Sequence, residues 1–373
     1  MVMDSCKLKD IGKVCMCKRI LKEQTSETYT IPFYKISTFG GVADTFISRE
    51  LYEEYKSKYS YPKPGAILLS AAGTLGKTVV FDGRDAYFQD SNIVWINNDE
   101  TRVINDYLQY YYSIIKWNKT TGSTIDRLYN DNIEEAVIFY PRNIEEQRKV
   151  SKILKLIDEK IENNNKINDN LYEQLSLYCA HISATPIAER HVLSDYCSYA
   201  SQKIDSSNLN QSDYVSTDNL LPEKQGIALA KSLPAVSTAT HCHNADILVS
   251  NIRPYLKKIY YCHRDMGCSS DVLCIRSTEQ KLAPFIYFCL RQDTFFDHMM
   301  AGSKGTKMPR GDKSQIMRYP IMMPSKALID QFIACAEPVM QQIKYNEEDN
   351  KTLFAIRDYL LPILMSGQAT IAD

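Results

Sequence analysis

The 373-residue chain has no stretch of about 18 uninterrupted apolar residues, the length a membrane-spanning helix requires, so no membrane span is expected. Its opening, Met-Val-Met-Asp-Ser-Cys-Lys, lacks the basic flank and apolar run of an export signal, and a cytoplasmic location is expected. Net charge is nearly absent too. With 44 Lys and Arg against 45 Asp and Glu, the formal charge is -1. That argues against a free-standing, non-specific nucleic-acid binder, because such proteins draw most of their affinity from neutralised phosphates. The 11 cysteines are scattered and odd in number, which fits reduced, buried thiols better than a disulfide framework. A nucleotide cradle is also missing: Gly73-Thr-Leu-Gly76 lacks the four residues between glycines that a phosphate-binding loop before Lys-Ser/Thr requires.

What is present is repetition. At an offset near 180 residues, Pro64-Gly-Ala-Ile-Leu-Leu-Ser70 meets Asn244-Ala-Asp-Ile-Leu-Val-Ser250, and Tyr34-Lys-Ile-Ser meets Tyr214-Val-Ser-Thr. Gly122-Ser123 meets Gly302-Ser303, and Asp90-Ser-Asn-Ile-Val-Trp-Ile meets Ser269-Ser-Asp-Val-Leu-Cys-Ile. Tyr107-Leu-Gln-Tyr-Tyr-Tyr pairs with Phe285-Ile-Tyr-Phe-Cys-Leu, and Ile144-Glu-Glu-Gln with Leu328-Ile-Asp-Gln. A tandem duplication follows, with a unit of domain size rather than the short unit of a solenoid. In copy one, β-branched and aromatic runs at 29–37, 66–70, 78–81 and 92–96 predict strands. A helix is expected at 105–116 and a strand at 136–140, and copy two repeats the plan.

Each copy closes on a long helical pattern. Apolar residues fall at Val150, Ile153, Ile157, Ile161, Ile167, Leu171, Leu175, Tyr178 and Ile182 in the first. The second runs through Ile329, Phe332, Ala336, Val339, Ile343, Leu353, Ile356, Leu360 and Leu364, and Pro362 with Ser366-Gly367 is expected to end it. Pro338 predicts a kink or a restart. The steps of three and four trace a seam rather than a full core face. Both seams soften at Asn164, Asn165 and Asn168 and at Asn346 and Asn350, which either face solvent or select one partner and register. At about 1.5 Å per residue the first helix would be a rod of nearly 60 Å.

The order Gly65-Ala-Ile-Leu-Leu-Ser70, Gly73-Thr-Leu-Gly-Lys77, Thr121-Gly-Ser-Thr-Ile-Asp-Arg127, then Pro141 and Glu145-Glu-Gln147 opening a long helix, resembles the DNA-specificity subunit of type I restriction-modification systems across nearly the whole chain. The resemblance implies an α+β protein with two tandem, mostly-β target recognition domains joined by the family's two long conserved helices, which form an antiparallel coiled coil. Each domain would read one part of a bipartite double-stranded DNA target. Implied partners are two modification (methyltransferase) subunits and the restriction (translocase/nuclease) subunits, and S-adenosylmethionine would belong to the partners, leaving no cofactor here. The boundaries are recognition domain one at 1–142, spacer helix one at 143–184, recognition domain two at 185–325, spacer helix two at 326–366 and a tail at 367–373. Copy two departs from the pattern. It has Asn251-Ile-Arg-Pro-Tyr-Leu-Lys-Lys258 in place of the Gly-Thr-Leu-Gly-Lys string, either Pro320 or Pro324 for Pro141, and only the glutamine of Glu-Glu-Gln.

The methyltransferase motif Asn/Asp-Pro-Pro-aromatic and a glycine-rich cofactor loop after a strand are both missing, so a non-catalytic binding subunit is expected. Segment 251–264 holds Arg253, Lys257, Lys258 and Arg264 with no acid, interleaved with Tyr255, Tyr260 and Tyr261. Segment 302–318 holds Lys304, Lys307, Arg310, Lys313 and Arg318 against Asp312 alone. Copy-one counterparts are Lys77, Arg84, Lys116, Lys119 and Arg127, with Ser123 either a contact or a turn and helix cap. The candidate DNA contacts are therefore Lys77, Arg84, Lys119, Ser123, Arg127, Arg253, Tyr255, Lys257, Lys258, Lys304, Lys307 and Arg310. Taken singly each is an ordinary surface residue; as groups they suit phosphates and base edges. Two other classes remain: a duplicated coiled-coil protein that binds protein or glycan, and an enzyme with a metal centre in copy two. For the latter, His241-Cys-His243, Cys262-His263, Cys268 and Cys274 offer ligands, but no Cys-x2-Cys spacing occurs and the cysteines alternate with apolar residues as small hydrophobes do, so no metal is expected.

Overall fold

The computed structural model describes residues 1–117, 127–305 and 307–371. It divides into two compact units, Met1–Ile161 with Lys351–Asp373, and Glu162–Asn350, so both long helices contribute to both units.

In unit one the strands order Val14–Met16, Ile93–Ile96, Ile67–Ser70, Thr78–Val80, all antiparallel. The two central strands are buried along their whole length, as their unbroken apolar runs Ile-Leu-Leu and Ile-Val-Trp-Ile require. A second sheet orders Thr25–Ser26, Phe46–Ile47, Ile31–Tyr34, Tyr87–Phe88, with the last pair parallel. Met3–Lys7 pairs with Val137–Pro141, and Asn105–Ile114 forms a helix whose tyrosines enter the core.

Unit two repeats the first sheet strand for strand: Cys197–Tyr199, Val272–Ser277, Ile247–Ser250, Ile259–Tyr261. The duplication holds to the residue. Leu68 faces Trp95 and Leu248 faces Cys274, while the Ala71 amide donates to Asn92 O (2.8 Å) and the Asn251 amide to Asp271 O (2.9 Å). The second sheets differ. In unit two the parallel pair, Tyr214–Val215 with Met266–Cys268, is extended on the Met266–Cys268 side by Thr238–Cys242 and Lys203–Asp205, whereas in unit one the added strands attach to Ile31–Tyr34. Register also decides the proline: Asp4 pairs with Tyr140 and Glu189 with Met323, so Pro324 is the counterpart of Pro141.

The long helices run Ile144–Ser183 and Lys326–Met365. Asn143 starts the first, its Oδ1 accepting from the Glu145 amide at 2.9 Å, with Glu145 and Glu146 at the positive end of the helix dipole. Chain helicity continues through both Pro338 and Pro362, so the expected restart does not occur. Pro338 and Ala334, whose carbonyl loses its partner, are both exposed, and water can take the place of the missing bond. The helix stops at Gly367, at φ +74°, where the Gln368 amide returns to Ile363 O (3.0 Å).

Burial recurs every seven residues: Gln147, Leu154, Ile161, Asn168, Leu175 and Ile182 in one helix, and Ile329, Ala336, Ile343, Asn350 and Leu364 in the other, with half-buried Arg357 filling the remaining step. This seam corrects the expected one, because Ile167 (46% exposed) and Ile356 (42%) face outward while Asn164, Asn168, Asn346 and Asn350 face in. Apolarity alone misplaced the stripe where polar residues occupy it. Within unit two, Asn164 Nδ2 donates to Asn350 Oδ1 (2.9 Å), Asn350 Nδ2 to Asn165 Oδ1 (2.8 Å) and Asn346 Nδ2 to Asn168 Oδ1 (2.7 Å). The pairs run in opposite senses along the two helices, which makes them antiparallel. In unit one Arg357 Nη1 meets Asp158 Oδ1 at 3.1 Å, and Val150 and Leu154 share a core with Leu364 and Met365.

Buried amides that bond one another are costly to separate. Asn164→Leu is expected to lose about 1–3 kcal/mol by stranding Asn350, and the double change to leucine with Asn350→Leu to recover most of it while weakening register. A double-mutant cycle in urea checks this; additive losses would show that the amides do not act as a pair.

Candidate nucleic-acid interface

Loop 251–258 leaves the central strand Ile247–Ser250 of unit two and carries two residues in the left-handed region, Arg253 (φ +52°) and Lys257 (φ +50°), flanking the turn Pro254–Leu256. Non-glycine residues rarely adopt that backbone, so the surrounding structure must hold it. Backbone bonds to a second loop do so. The Arg253 amide donates to Pro309 O (2.8 Å), Ile252 bridges Arg310, and the Gly311 amide donates to Asn251 O (3.0 Å). The second loop is itself a hairpin, Lys304 and Arg310 exchanging both backbone bonds at 3.0 Å. The two basic segments, some 50 residues apart in sequence, are thus one surface, on which Arg253, Tyr255, Lys304, Lys307 and Arg310 are all exposed.

These cations are not equivalent. Arg310 is held by Asp271 at 2.9 Å, and Lys304 lies 3.8 Å from Asp312. Lys257 and Lys224 both pair with Asp293, and the hydrogen bond to that carboxylate pushes the Lys257 ammonium above its ordinary value. Lys258 points its ammonium at Thr217 O; burial pulls its pKa down, and Asp218 opposes the change. Lys257 and Lys258 are therefore engaged in holding the loop, whereas Arg253 and Lys307 make no ion pair among the described residues.

Unit one builds the same corner from different residues. The string Gly73-Thr-Leu-Gly76-Lys77 is the hairpin between Ile67–Ser70 and Thr78–Val80, with Gly73 and Gly76 at φ +70° and +81°; a Cβ on Gly76 would come within 2.8 Å of Trp117 Nε1. Ala72 bridges Arg127, and the Leu128 amide donates to Ala71 O (2.9 Å). Arg127 Nη2 donates to Ser91 O (3.1 Å), one residue before the counterpart of Asp271. Arg127 and Arg310 are therefore structural equivalents, each bridging the residue two beyond the end of the central strand and each anchored to the loop that enters the neighbouring strand. Sequence comparison missed this because the Gly-Ser anchor lies at unequal distances from the two arginines, five residues before Arg127 and eight before Arg310.

Lys77 is exposed beside this corner, its ammonium donating to Phe39 O at 2.6 Å. Arg84 is not brought to it: it pairs with Asp82 in a turn beyond the far end of strand Thr78–Val80, next to Pro64. Lys119 and Ser123 lie outside the described residues. The expected glutamine correspondence also fails. Gln147 is fully buried, donating to Arg102 O (2.7 Å) and Pro141 O (2.8 Å) and accepting from the Ile104 amide (2.9 Å), while Gln331 is exposed. The burial order 147, 150, 151, 154 matches 329, 332, 333, 336, so Ile329 takes the place of Gln147.

The histidine and cysteine cluster is split by strand alternation. Along Thr238–Cys242, Cys242 points into a core with Leu248, Cys262, Cys268, Val272 and Cys274, whereas His241 and His243 point out of it. Hydrogen bonds with the thiols of Cys262, Cys268 and Cys274, then burial, push the Cys242 thiol far up, as for a protonated hydrophobe. All eleven cysteines are free.

An arginine corner of similar build thus stands beyond the same end of the equivalent sheet in each unit. Residues 3–173 match the model of the type I restriction modification DNA specificity domain. A stretch of 144 residues is 60% identical to a putative type I restriction enzyme specificity subunit from Haemophilus influenzae, covering 39% of this chain and 37% of that protein. The chain thus spans little more than a third of that relative. The MjaIX specificity subunit from Methanocaldococcus jannaschii is 22% identical over 350 residues, 84% of this chain and 79% of that one. Among solved structures, the S subunit of a type I system from M. genitalium shares the fold with a TM-score of 0.57 at 15% identity, over 98% of this chain and 96% of that one. No described helix is long and apolar enough to cross a membrane.

Proposed function

We propose that this chain is the non-catalytic DNA-recognition subunit of a type I restriction-modification complex, each copy reading one part of a bipartite target while the subunit docks two methyltransferase subunits and, through them, restriction subunits. Recognition domains at 1–142 and 185–325, spacer helices at 143–184 and 326–366, and a tail at 367–373 are the corresponding division. The observation that carries the reading is the arginine corner made twice, at Arg127 and Arg310, from unrelated loop sequences on the equivalent sheet of each unit. A protein- or glycan-binding module has no need of paired cationic corners on a chain of net charge -1. S-adenosylmethionine would be held by the methyltransferase partners.

With so little net charge, the chain by itself is expected to bind DNA weakly, and specific binding to arise when methyltransferase subunits close around the duplex. Mobility-shift titration with and without those subunits tests this; nanomolar, sequence-specific affinity of the isolated chain at physiological salt would overturn it. In the assembled complex, removing Lys304 and Lys307 by K304A and K307A is expected to reduce the slope of log affinity against log salt by about 2, near one unit per phosphate contact. The same changes at Lys257 and Lys258 are expected to unsettle the loop instead, with a loss of thermal stability that precedes any change in slope.

A further inference from the structure

Outside the arginine corners, the strand that sends Cys242 inward turns His241 and His243 outward, and the turn at 263–265 brings Asp265 against them. His241 Nε2 lies 3.6 Å and His243 Nδ1 3.2 Å from the same carboxylate oxygen, Asp265 Oδ2, and the three ligand atoms all lie within 4.8 Å of one another. Two imidazole nitrogens converging on one oxygen is more than a single proton bridges. The spacing also has a meaning: in a tetrahedral site with bonds of about 2.05 Å, ligand atoms stand about 3.3 Å apart.

The orientation of His243 is fixed from behind. Its Nε2 lies 2.8 Å from Gln202 Oε1, and that oxygen also accepts from Arg276 Nη1 at 3.3 Å, so the amide oxygen, not the nitrogen, faces the ring. His243 Nε2 therefore carries a proton, so that in the neutral ring it is Nδ1, on the side of Asp265, that is offered to a metal. Asp265 is positioned likewise, its Oδ1 accepting from the Asn244 amide at 3.1 Å. A backing hydrogen bond that sets the tautomer and aims the free nitrogen is the usual support of a metal-bound histidine.

We infer that His241, His243 and Asp265 form a binding site for a borderline transition-metal dication such as zinc, with Gln202 as the positioning residue. Two imidazoles and one carboxylate suit zinc better than magnesium or calcium, and the partial exposure of the three side chains leaves a fourth position for water. The cysteines of the neighbouring core take no part, because they lie on the other face of the strand.

The test is titration of the metal-stripped full chain with zinc chloride by calorimetry, together with the visible and near-ultraviolet spectrum of the cobalt-substituted chain. One equivalent is expected to bind, about 10–100-fold more weakly in Q202A and at least that much more weakly in the double variant H241A/H243A. The cobalt spectrum of the unaltered chain is expected to lack thiolate charge-transfer bands. An unaltered chain that binds zinc no better than the double variant would overturn the site. So would strong thiolate bands, which would place the metal on the cysteines whatever the folding of the variants.

Discussion

Replacing Gln147 by leucine is expected to destabilise unit one by about 3–5 kcal/mol, with two buried backbone groups and one part-buried one left short of a partner at about 1–3 kcal/mol each. The side chain ties three pieces together: Arg102 O and the Ile104 amide ahead of helix Asn105–Ile114, and Pro141 O at the end of the strand that leads into the long helix. Leucine nearly matches its volume, so the loss reads the hydrogen bonds rather than a cavity. Both tryptophans, Trp95 and Trp117, belong to unit one, so a urea titration followed by tryptophan fluorescence reports that unit without interference. A shift under about 1 kcal/mol would mean that other groups or water satisfy all three partners.

Asp246→Ala is expected to cost unit two about 3–5 kcal/mol, the range for removing one partner of a buried ion pair. Its side chain is 3% exposed and takes both Arg276 Nε (2.8 Å) and Nη2 (2.7 Å), a bidentate pair, while also accepting from the His243 amide at 2.7 Å. Asp246→Asn keeps an acceptor for the amide but loses the fork geometry, and an intermediate loss is expected. Hydrogen exchange of peptides covering 238–250 and 266–277 checks both variants. Unchanged protection in the alanine variant would show that Arg276 finds solvent at no cost.

The contrast between Gln147 and its structural counterpart Ile329 shows how a duplicated fold tolerates drift. A buried amide with three partners and a buried aliphatic side chain fill one seam position, because the repeat preserves burial and register before it preserves chemistry. The arginine corners follow the same logic. Sheet register carries Arg127 and Arg310 to equivalent places in their own units, although the loops that bring them there share almost no sequence.

Much of the local structure was legible because it follows from short-range rules. The strands at 67–70, 78–80 and 93–96, the helix from 105, and both long helices lie within a few residues of the positions that apolar periodicity and turn residues predict. The seam was misread at Ile167 and Ile356 and left open at the asparagines, since periodicity counts apolar side chains and cannot see that two amides facing each other are satisfied. Arg84 was grouped with Lys77 and Arg127 by charge, and only strand direction separates them.

By itself, then, the sequence determined the duplication, the order of elements and the two forty-residue helices, all of which depend on neighbours within a turn or a hairpin. Only the tertiary structure decided which asparagines pair, which of the basic residues share a surface, and that His241 and Cys242 serve opposite faces of one strand. Those outcomes depend on residues tens to nearly two hundred positions apart, joined by sheet register and antiparallel helix pairing, and no local pattern encodes such a partner.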